Sequence, residues 1–229
     1  MSDTGITSHT VNAWLSARSI GRGLPAPVAD RGGFRVDTNG EAEIKRWVFP
    51  TIGAGLRELA YSLDEPRHFL KLCGKAEDLR SALPQNWSLH PPGYFMQASA
   101  AHPDRPLPAG YRIEVRRDGM VAEVRIVSET GLLAASGYAV ETTDAFVYDR
   151  IITEPAHYRK GLGSIMMAAL QRTKQRHRTP ELLVATEEGR ALYGTLGWRT
   201  ISPFSTASIP LPEYPPSGPA SFAAPIGQS

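Results

Sequence analysis

Short runs in which apolar and polar residues alternate dominate the second half of the chain. Four of them follow one another between residues 111 and 153, separated by short polar or glycine-containing turns. Since successive side chains of a strand point to opposite faces of a sheet, this pattern predicts an antiparallel meander. Apolar residues then recur at helical spacing, which predicts a helix whose buried stripe carries Leu162, Ile165, Met166, Ala169 and Leu170.

The pattern of the first hundred residues is less regular. A short helix is predicted around Trp14, and the glycine- and proline-rich chain up to residue 33 is expected to lie irregularly over a surface. Arg18 and Arg22 could instead line an acceptor pocket, and both interpretations stay open. A strand is predicted at FRVDT. Helical spacing lies on both sides of Pro50, which should break or kink that helix.

A repeated order of elements connects the two halves of the chain. From Phe69 onwards the sequence predicts a strand, a glycine, a helix, a turn with tryptophan and a strand, and the same order returns from Leu182. We therefore predict that residues 34–100 form a degenerate half of the later fold, which packs beside it and walls the acceptor site.

Proline-rich stretches set the expected domain boundaries. One lies at residues 101–110 and another begins beyond Ser202. They predict an N-terminal α/β region at 1–105, the main domain at 106–205 and an extended, proline-rich tail at 206–229.

Composition narrows the classes of function. The 229 residues are 41% hydrophobic, which is enough for one good core or two small ones. The net charge of +2 provides no global basic field, so no nucleic-acid partner is expected. There is no leader-like start and no apolar run of bilayer length, so we expect a cytoplasmic protein without a membrane partner. The single cysteine, Cys73, lies in the apolar run FLKLC and is predicted to be a buried structural thiol.

The stretch HYRKGLGS, between a predicted strand and a predicted helix, has the chemistry of a phosphate-binding loop. The first turn of a helix has free N–H groups and a partial positive charge, and Gly161 and Gly163 leave that backbone open to a ligand. Ser164 is followed by Ile165, so a nucleoside-triphosphate loop does not fit. Met166 stands at the third glycine of a dinucleotide fingerprint, so that motif does not fit either.

A second motif, ATEEGRALYGTLGW, follows further along the chain. In it Thr186 opens a predicted helix, and Ala-Leu-Tyr precedes Leu-Gly-Trp. Together with HYRKGLGS it resembles the GNAT superfamily of acetyl-CoA-dependent acyltransferases. The resemblance implies an α/β fold with a central, mostly antiparallel mixed sheet flanked by helices. There are two departures: Tyr158 stands where the family usually has Gln or Arg, and Thr186 where it usually has Asn.

Acetyl-CoA is the co-substrate that the resemblance implies, and no metal is expected. The loop amides would bind the pyrophosphate, and the backbone N–H groups of Ile151 and Thr153 would pair with the pantetheine and polarise the thioester carbonyl. The residues expected to bind the coenzyme are Ile151, Ile152, Thr153, Tyr158, Arg159, Lys160, Gly161, Leu162, Gly163, Ser164 and Thr186.

Tyr193 is the catalytic residue that the resemblance supports best, as a general acid or hydrogen-bond donor to the coenzyme sulfur. Its alternative role is packing of its helix against the core. In the earlier half, aligning Leu83 with Leu196 places Arg80 where Tyr193 stands, so that half lacks the hydroxyl.

The general base is less clear. The family's glutamate, where present, lies on the strand AFVYDRIIT, and the matching place here holds Val147. Alternation puts Asp149 on the same face as Val147, Ile151 and Thr153, so Asp149 is one candidate and His157 the other. Asp149 could instead form a structural ion pair with its neighbour arginine, and His157 could merely begin the loop.

We therefore expect an acetyl-CoA-dependent N-acetyltransferase that acts on a primary amine, most simply that of a small molecule, by direct attack on the thioester. The alternative is a catalytically silent module that binds acyl-CoA for regulation or assembly. A third reading is acetylation of protein lysines or N-termini. A homodimer is compatible with the sequence, and no sequence motif identifies the acceptor.

Overall fold

The computed structural model describes residues 6–99 and 105–211. In these ranges the helices are α1 (Ser8–Gly21), α2 (Ala54–Ser62), α3 (Ala76–Ser81), α4 (Leu162–Gln171) and α5 (Glu187–Thr195). The strands are β1 (Val28–Asp30), β2 (Gly33–Asp37), β3 (Lys45–Phe49), β4 (His68–Leu72), β5 (Ser88–Leu89), β6 (Gly93–Ala98), β7 (Tyr111–Asp118), β8 (Val121–Ser128), β9 (Leu133–Glu141), β10 (Phe146–Thr153), β11 (Glu181–Ala185) and β12 (Trp198–Ser208). A short 3-10 helix, Pro155–His157, precedes the glycine loop.

The strands form one mixed sheet in the order β1-β2-β3-β4-β12-β6-β11-β10-β9-β8-β7, with β5 also paired to β12. The β3–β4 and β10–β11 pairs are parallel, and the other pairs among the described strands are antiparallel. Helices flank this sheet, so the predicted fold class is confirmed.

Both halves of the sheet use the same succession of elements. The series β1-β2-β3-α2-β4-α3-β5 in the first half corresponds to β8-β9-β10-α4-β11-α5-β12 in the second. Pairing directions also correspond, because an antiparallel pair precedes one parallel pair in each half. The third strand and the first helix after it are connected through a glycine-containing segment in both.

The two halves exchange a strand at their junction. β6 belongs by sequence to the first half but lies between β11 and β12 of the second. In return, the end of β12, from Ser205 to Ser208, pairs with β4 and β5 of the first half. This strand therefore runs past the boundary predicted at residue 205. The rest of the predicted tail, from residue 212 onwards, lies outside the described residues.

Helix α1 covers this junction. Its Trp14 ring makes edge-to-face contacts with Phe95 of β6 (centroids 5.2 Å apart) and Phe204 of β12 (5.6 Å). The helix begins after Thr7, whose side chain accepts a hydrogen bond from the Thr10 N–H. Separate buried clusters lie under α4 and under α2–α3. A third cluster, under α1, contains Val36 of the first half and Val147 of the second, so the two halves share a core there.

One local prediction was wrong, and another was confirmed. Residues 45–49 are a strand and not part of a helix, because the run Trp47-Val48-Phe49 is buried between two neighbouring strands and does not alternate. Pro50 follows the end of that strand. The predicted burial of Cys73 is confirmed, and burial raises the pKa of its thiol to about 12. Among the described residues, no helix has the length and apolar character needed to cross a bilayer.

Candidate functional site

A gap between β10 and β11 forms the centre of the candidate site. The two parallel strands pair only at Phe146 and Val147 and then separate. The register of β10 against β9 shifts between Asp149 and Ile152, and Arg150 inside this bulge has a φ of 53°. A bulge bends its strand and increases the local twist, which accounts for the separation. The β10 edge that faces β11 is therefore open beyond Val147.

Arg150 holds the bulge in place. Its guanidinium donates a hydrogen bond to the carbonyl of Gly21 at 2.6 Å and lies 3.8 Å from the centroid of the Tyr138 ring. The bulge also changes which face each side chain occupies. Ile151 packs with the α4 cluster, whereas Val147 belongs to the α1 cluster, so the predicted common face of Val147 and Ile151 is wrong. The extra residue of the bulge breaks the two-residue period.

A groove of about 500 Å³ occupies the gap. It brings together eight of the predicted site residues: Asp149, Ile151, Ile152, Thr153, Tyr158, Gly163, Thr186 and Tyr193. Arg150 lines it as well, and β11 with the first turns of α5 forms its opposite wall.

The glycine loop lies at one end of this groove. Gly161 precedes α4 with a φ of 74°, and a Cβ added there would meet no protein atom within 4 Å. The N–H groups of Leu162, Gly163 and Ser164 belong to the first helical turn and have no intrahelical acceptor. The side chains of Leu162 and Ser164 are buried, so only their backbone is available to a ligand. The loop thus presents amides and open space, as a pyrophosphate requires.

The charged side chains of the loop are exposed. Arg159 has a φ of 59°, and the Lys160 ammonium donates a hydrogen bond to the Tyr111 hydroxyl at 2.9 Å. His157 is tied to the same hydroxyl through Nδ1 at 2.8 Å and does not line the groove. The structure therefore places His157 outside the groove.

Tyr193 lies in α5 on the wall opposite β10. Burial raises the pKa of its phenol to about 12, and within the described residues its hydroxyl makes no hydrogen bond. The ring packs 6.1 Å from that of Trp198. Thr186 caps this helix as predicted, since its Oγ1 accepts from the Gly189 N–H at 3.2 Å. The geometry thus combines the packing role of the ring with a hydroxyl left available to a ligand.

Asp149 is held by arginines from α1. Arg22 donates to both carboxylate oxygens, at 2.5 and 2.9 Å, and Arg18 Nε lies 3.6 Å from Oδ1. Burial alone would raise the pKa of the carboxyl, but these contacts and the charge of Arg150 outweigh it and lower the pKa below its ordinary value. A carboxylate of lowered pKa accepts protons poorly, so the geometry favours the structural ion pair over the general base.

We expect Asp149→Asn to lower the free energy of unfolding by about 3 kcal/mol, because it leaves two partly buried guanidinium groups without a carboxylate. Urea denaturation at neutral pH measures this. The pKa of Asp149 is lower in the folded state than in the unfolded state. The extra stability of the wild type over the variant is therefore present above the ordinary carboxyl pKa and disappears as the pH falls through the lowered folded-state pKa. Asp144→Asn, at an exposed position, is the matched control. Unchanged stability with a large loss of kcat would assign the base to Asp149 instead.

A second cavity, of about 320 Å³, adjoins the groove. The two share Tyr148, Asp149 and residues 184–186 in their walls. The other side is built from α1, β4, the segment before β6, and β12. Arg18 and Arg22 line it, which supports the pocket interpretation of these residues. Lys71 and Thr206 were not predicted from the sequence. The strand exchange brings them together, and no sequence signal indicates that exchange.

Comparisons with known proteins agree with this geometry. No family model and no curated protein matches the sequence. Solved structures do match. A GCN5-related N-acetyltransferase from Kribbella flavida superimposes with a TM-score of 0.63 at 14% identity, over 91% of this chain and 97% of that one. A GCN5-related N-acetyltransferase from Sphaerobacter thermophilus superimposes with a TM-score of 0.53 at 10% identity, over 91% of this chain and 97% of that one. The chain has the GNAT fold.

A third solved structure that matches the chain is described as a tandem protein. It is a tandem GNAT protein from the clavulanic acid biosynthesis pathway, with a TM-score of 0.51 at 15% identity over 79% of both chains. The first half of the present chain also has a Gly-x-Gly sequence before a helix, Gly53-Ala54-Gly55. There, however, a Cβ on Gly55 would lie 2.0 Å from the carbonyl oxygen of Arg31. The β1–β2 turn therefore packs directly against Gly55, which corresponds to Gly163 of the second half, whereas the Cβ position of Gly53 is open like that of Gly161.

Proposed function

We propose that the protein is an acetyl-CoA-dependent N-acetyltransferase that acts on the primary amine of a small molecule. The observation that carries the proposal is the groove between β10 and β11, which has an open strand edge, a glycine loop and Tyr193 on its walls. A second cavity adjoins this groove and shares part of its wall, which suits a reaction between two substrates. The GNAT fold supports the same class of reaction.

The chain offers a suitable surface for each part of the coenzyme. The amides of residues 161–164 would hold the pyrophosphate, with positive charge from Arg159 and Lys160 nearby. The open edge of β10 at Ile151 and Thr153 would pair with the pantetheine amides and donate to the thioester carbonyl. Bound acetyl-CoA supplies the activated acetyl group. Because these contacts are mostly to the backbone, side-chain changes at Ile151 and Thr153 should affect affinity little.

The acceptor amine must lose a proton before it attacks. With an ordinary pKa near 10.4, removing that proton at pH 7 costs about 5 kcal/mol. Neither carboxylate nor imidazole in the predicted set is well placed, since Asp149 is held by arginines and His157 lies outside the groove. A water beside Tyr148 and Asp149, in the wall that the two cavities share, is the acceptor of this proton in our proposal.

Tyr193 would support the departing sulfur through a hydrogen bond. Its phenol has a pKa of about 12, well above that of an ordinary thiol near 8.5. Complete transfer of its proton to the thiolate would therefore be uphill by about 5 kcal/mol. The hydroxyl can still donate, because nothing in the described part of the chain occupies it.

The alternative is a module that binds acyl-CoA without catalysis. Its specific support is Val147 at the place of the family's glutamate, together with the ion-paired state of Asp149. Two measurements separate the proposals: calorimetry with acetyl-CoA, and release of free thiol in the presence of a panel of primary amines. Binding with amine-dependent thiol release supports the enzyme. Binding without release from any amine supports the silent module, and no binding contradicts both.

We also infer that the first half is a degenerate copy of the second and serves as the wall of the acceptor cavity. Its order of elements and pairing directions support this, and the β1–β2 turn, which packs against Gly55, covers the second glycine of its Gly-x-Gly sequence. Calorimetry should therefore give one acetyl-CoA per chain. A stoichiometry of two would contradict the inference.

Gly55→Ala is expected to destabilise the fold by about 2 kcal/mol or more, because its Cβ would collide with the backbone of the β1–β2 turn. Thermal denaturation measures this effect. Gly53→Ala is the control, since a Cβ there meets no atom within 4 Å, and its effect should stay within about 1 kcal/mol. The dissociation constant for acetyl-CoA should be the same in both variants. A selective loss of affinity in Gly55→Ala would place a coenzyme site in the first half.

A further inference from the structure

The cavity beside the coenzyme groove carries an excess of positive charge. Arg18, Arg22 and Lys71 line it, and the carboxylate in its wall is that of Asp149. Arg22 engages this carboxylate with two hydrogen bonds. Among the lining residues, one negative charge therefore faces three positive ones, and the close ion pair accounts for only one of the three.

Lys71 has no carboxylate partner among the described residues. Its ammonium donates to the Thr206 hydroxyl at 3.4 Å and lies 5.3 Å from the centroid of the Phe69 ring. Both contacts are weak compared with an ion pair. A largely enclosed cation without a counter-charge is unfavourable, and it favours binding of an anion in the adjoining space.

The positive charge of Arg18 is also only partly balanced by a carboxylate. Its closest carboxylate oxygen is 3.6 Å away and already accepts a hydrogen bond from Arg22, and its guanidinium lies 5.5 Å from the centroid of the Trp14 ring. No hydrogen bond to its guanidinium is found in the described residues. Its side chain is 19% exposed, which leaves donors available to a molecule in the cavity. A guanidinium fork suits carboxylate and phosphate groups.

From these contacts we propose that the acceptor is an anionic amine, which has a carboxylate or phosphate group that Arg18 and Lys71 bind while its amino group points into the groove. This rests on the proposed acetyltransferase function and specifies its substrate class. The two cavities share Tyr148 and Asp149 in their walls, so a molecule held by Arg18 and Lys71 would lie beside the groove. A volume of about 320 Å³ suits a molecule of amino-acid size.

The charge state of Lys71 gives this site a pH dependence. Burial lowers the pKa of its ammonium to about 8. Among the surrounding charged groups, Glu43 raises this pKa, whereas Arg46, Arg18 and Arg22 lower it. Asp149 lines the same cavity, and the pKa of His90 is itself lowered by burial and by Lys71. The ammonium is charged below pH 8, so the affinity for an anionic acceptor should fall as the pH rises through that value.

The test compares acceptors matched in shape but not in charge. L-leucine is paired with 3-methylbutylamine, and O-phosphoethanolamine with ethanolamine, with thiol release as the readout at saturating acetyl-CoA. We expect the anionic member of at least one pair to have a kcat/KM about 100-fold higher, as ion-paired recognition of a charged group allows. The pair that responds tells whether carboxylate or phosphate is bound. Equal or better use of both amines that lack the anionic group overturns the inference and leaves the acetyltransferase function intact.

Variants at Lys71 test whether this cavity binds the anionic group of the acceptor. Lys71→Met should raise KM for the anionic acceptor about 10- to 100-fold, leave KM for acetyl-CoA within about twofold, and remove the loss of acceptor affinity above pH 8. Lys71→Arg should recover part of the affinity. Arg112→Met, at an exposed position of β7, is the control for charge. An unchanged acceptor KM in folded Lys71→Met would refute the assignment. If no amine of either kind releases thiol although acetyl-CoA binds, the proposed function fails, and this inference fails with it.

Discussion

Gly161→Ala is expected to weaken acetyl-CoA binding by about 10- to 100-fold, equivalent to about 1.4 to 2.8 kcal/mol. The residue has a φ of 74°, and a Cβ there would extend into space that no protein atom occupies, directly before the first turn of α4. In our proposal this is where the pyrophosphate approaches the amides, so a methyl group would both strain the backbone and displace the ligand. Isothermal titration calorimetry measures the change.

Gly119→Ala provides the matched control for strain. Gly119 lies in the β7–β8 turn, also has a positive φ, of 54°, and also has open space around its Cβ position. Both variants should lose about 1 kcal/mol of stability from the left-handed conformation. Only Gly161→Ala should lose coenzyme affinity. Equal dissociation constants for the two variants would show that the loop does not bind the coenzyme.

Tyr193→Phe is expected to lower kcat by about 100-fold while the KM for acetyl-CoA and the stability change little. Proton-donating groups in a transition state contribute effects of about this size or larger. The ring and its contact with Trp198 are retained in phenylalanine, and the lost hydroxyl has no hydrogen bond in the described residues. The free energy of unfolding should therefore stay within about 0.5 kcal/mol of the wild-type value.

A control variant and the pH dependence of kcat complete the test of Tyr193. Tyr138→Phe removes a hydroxyl that is bonded to Glu123, away from the groove, and should leave kcat unchanged. Because the pKa of Tyr193 is about 12, its phenol stays protonated to high pH, so kcat should show no alkaline loss from this group below about pH 11. A Tyr193→Phe variant with wild-type kcat would restrict the tyrosine to a packing role.

The elements that define the GNAT fold were predictable where local chemistry determines them. The alternating runs from residue 111 to 153 formed the expected meander, and the capping hydroxyl of Thr186 opened α5. Residues 45–49 were misassigned, because a strand buried on both faces has a continuous apolar run that resembles a helix segment. Period-based reasoning cannot separate these cases without knowing the neighbouring strands.

The candidate site was predictable to the extent that it lies in one sequence segment. The loop and Tyr193 were identified from motifs, whereas Lys71 was not, because it reaches the cavity only through the exchange of β6 and the end of β12. The face of Ile151 was misassigned for a related reason. A bulge at Arg150 changes the side-chain period, and nothing in the local composition indicates where that extra residue lies.

The reciprocal placement of β6 and the end of β12 makes each half dependent on the other for a complete sheet. A fragment that began at residue 106 would lack the strand that normally covers one side of β11, and would expose the hydrogen-bonding groups there to other chains. The polypeptide of the first half is therefore needed to complete the sheet, whether or not that half binds a ligand. For protein engineering, this sheet has no natural cleavage point between an expendable and a functional part.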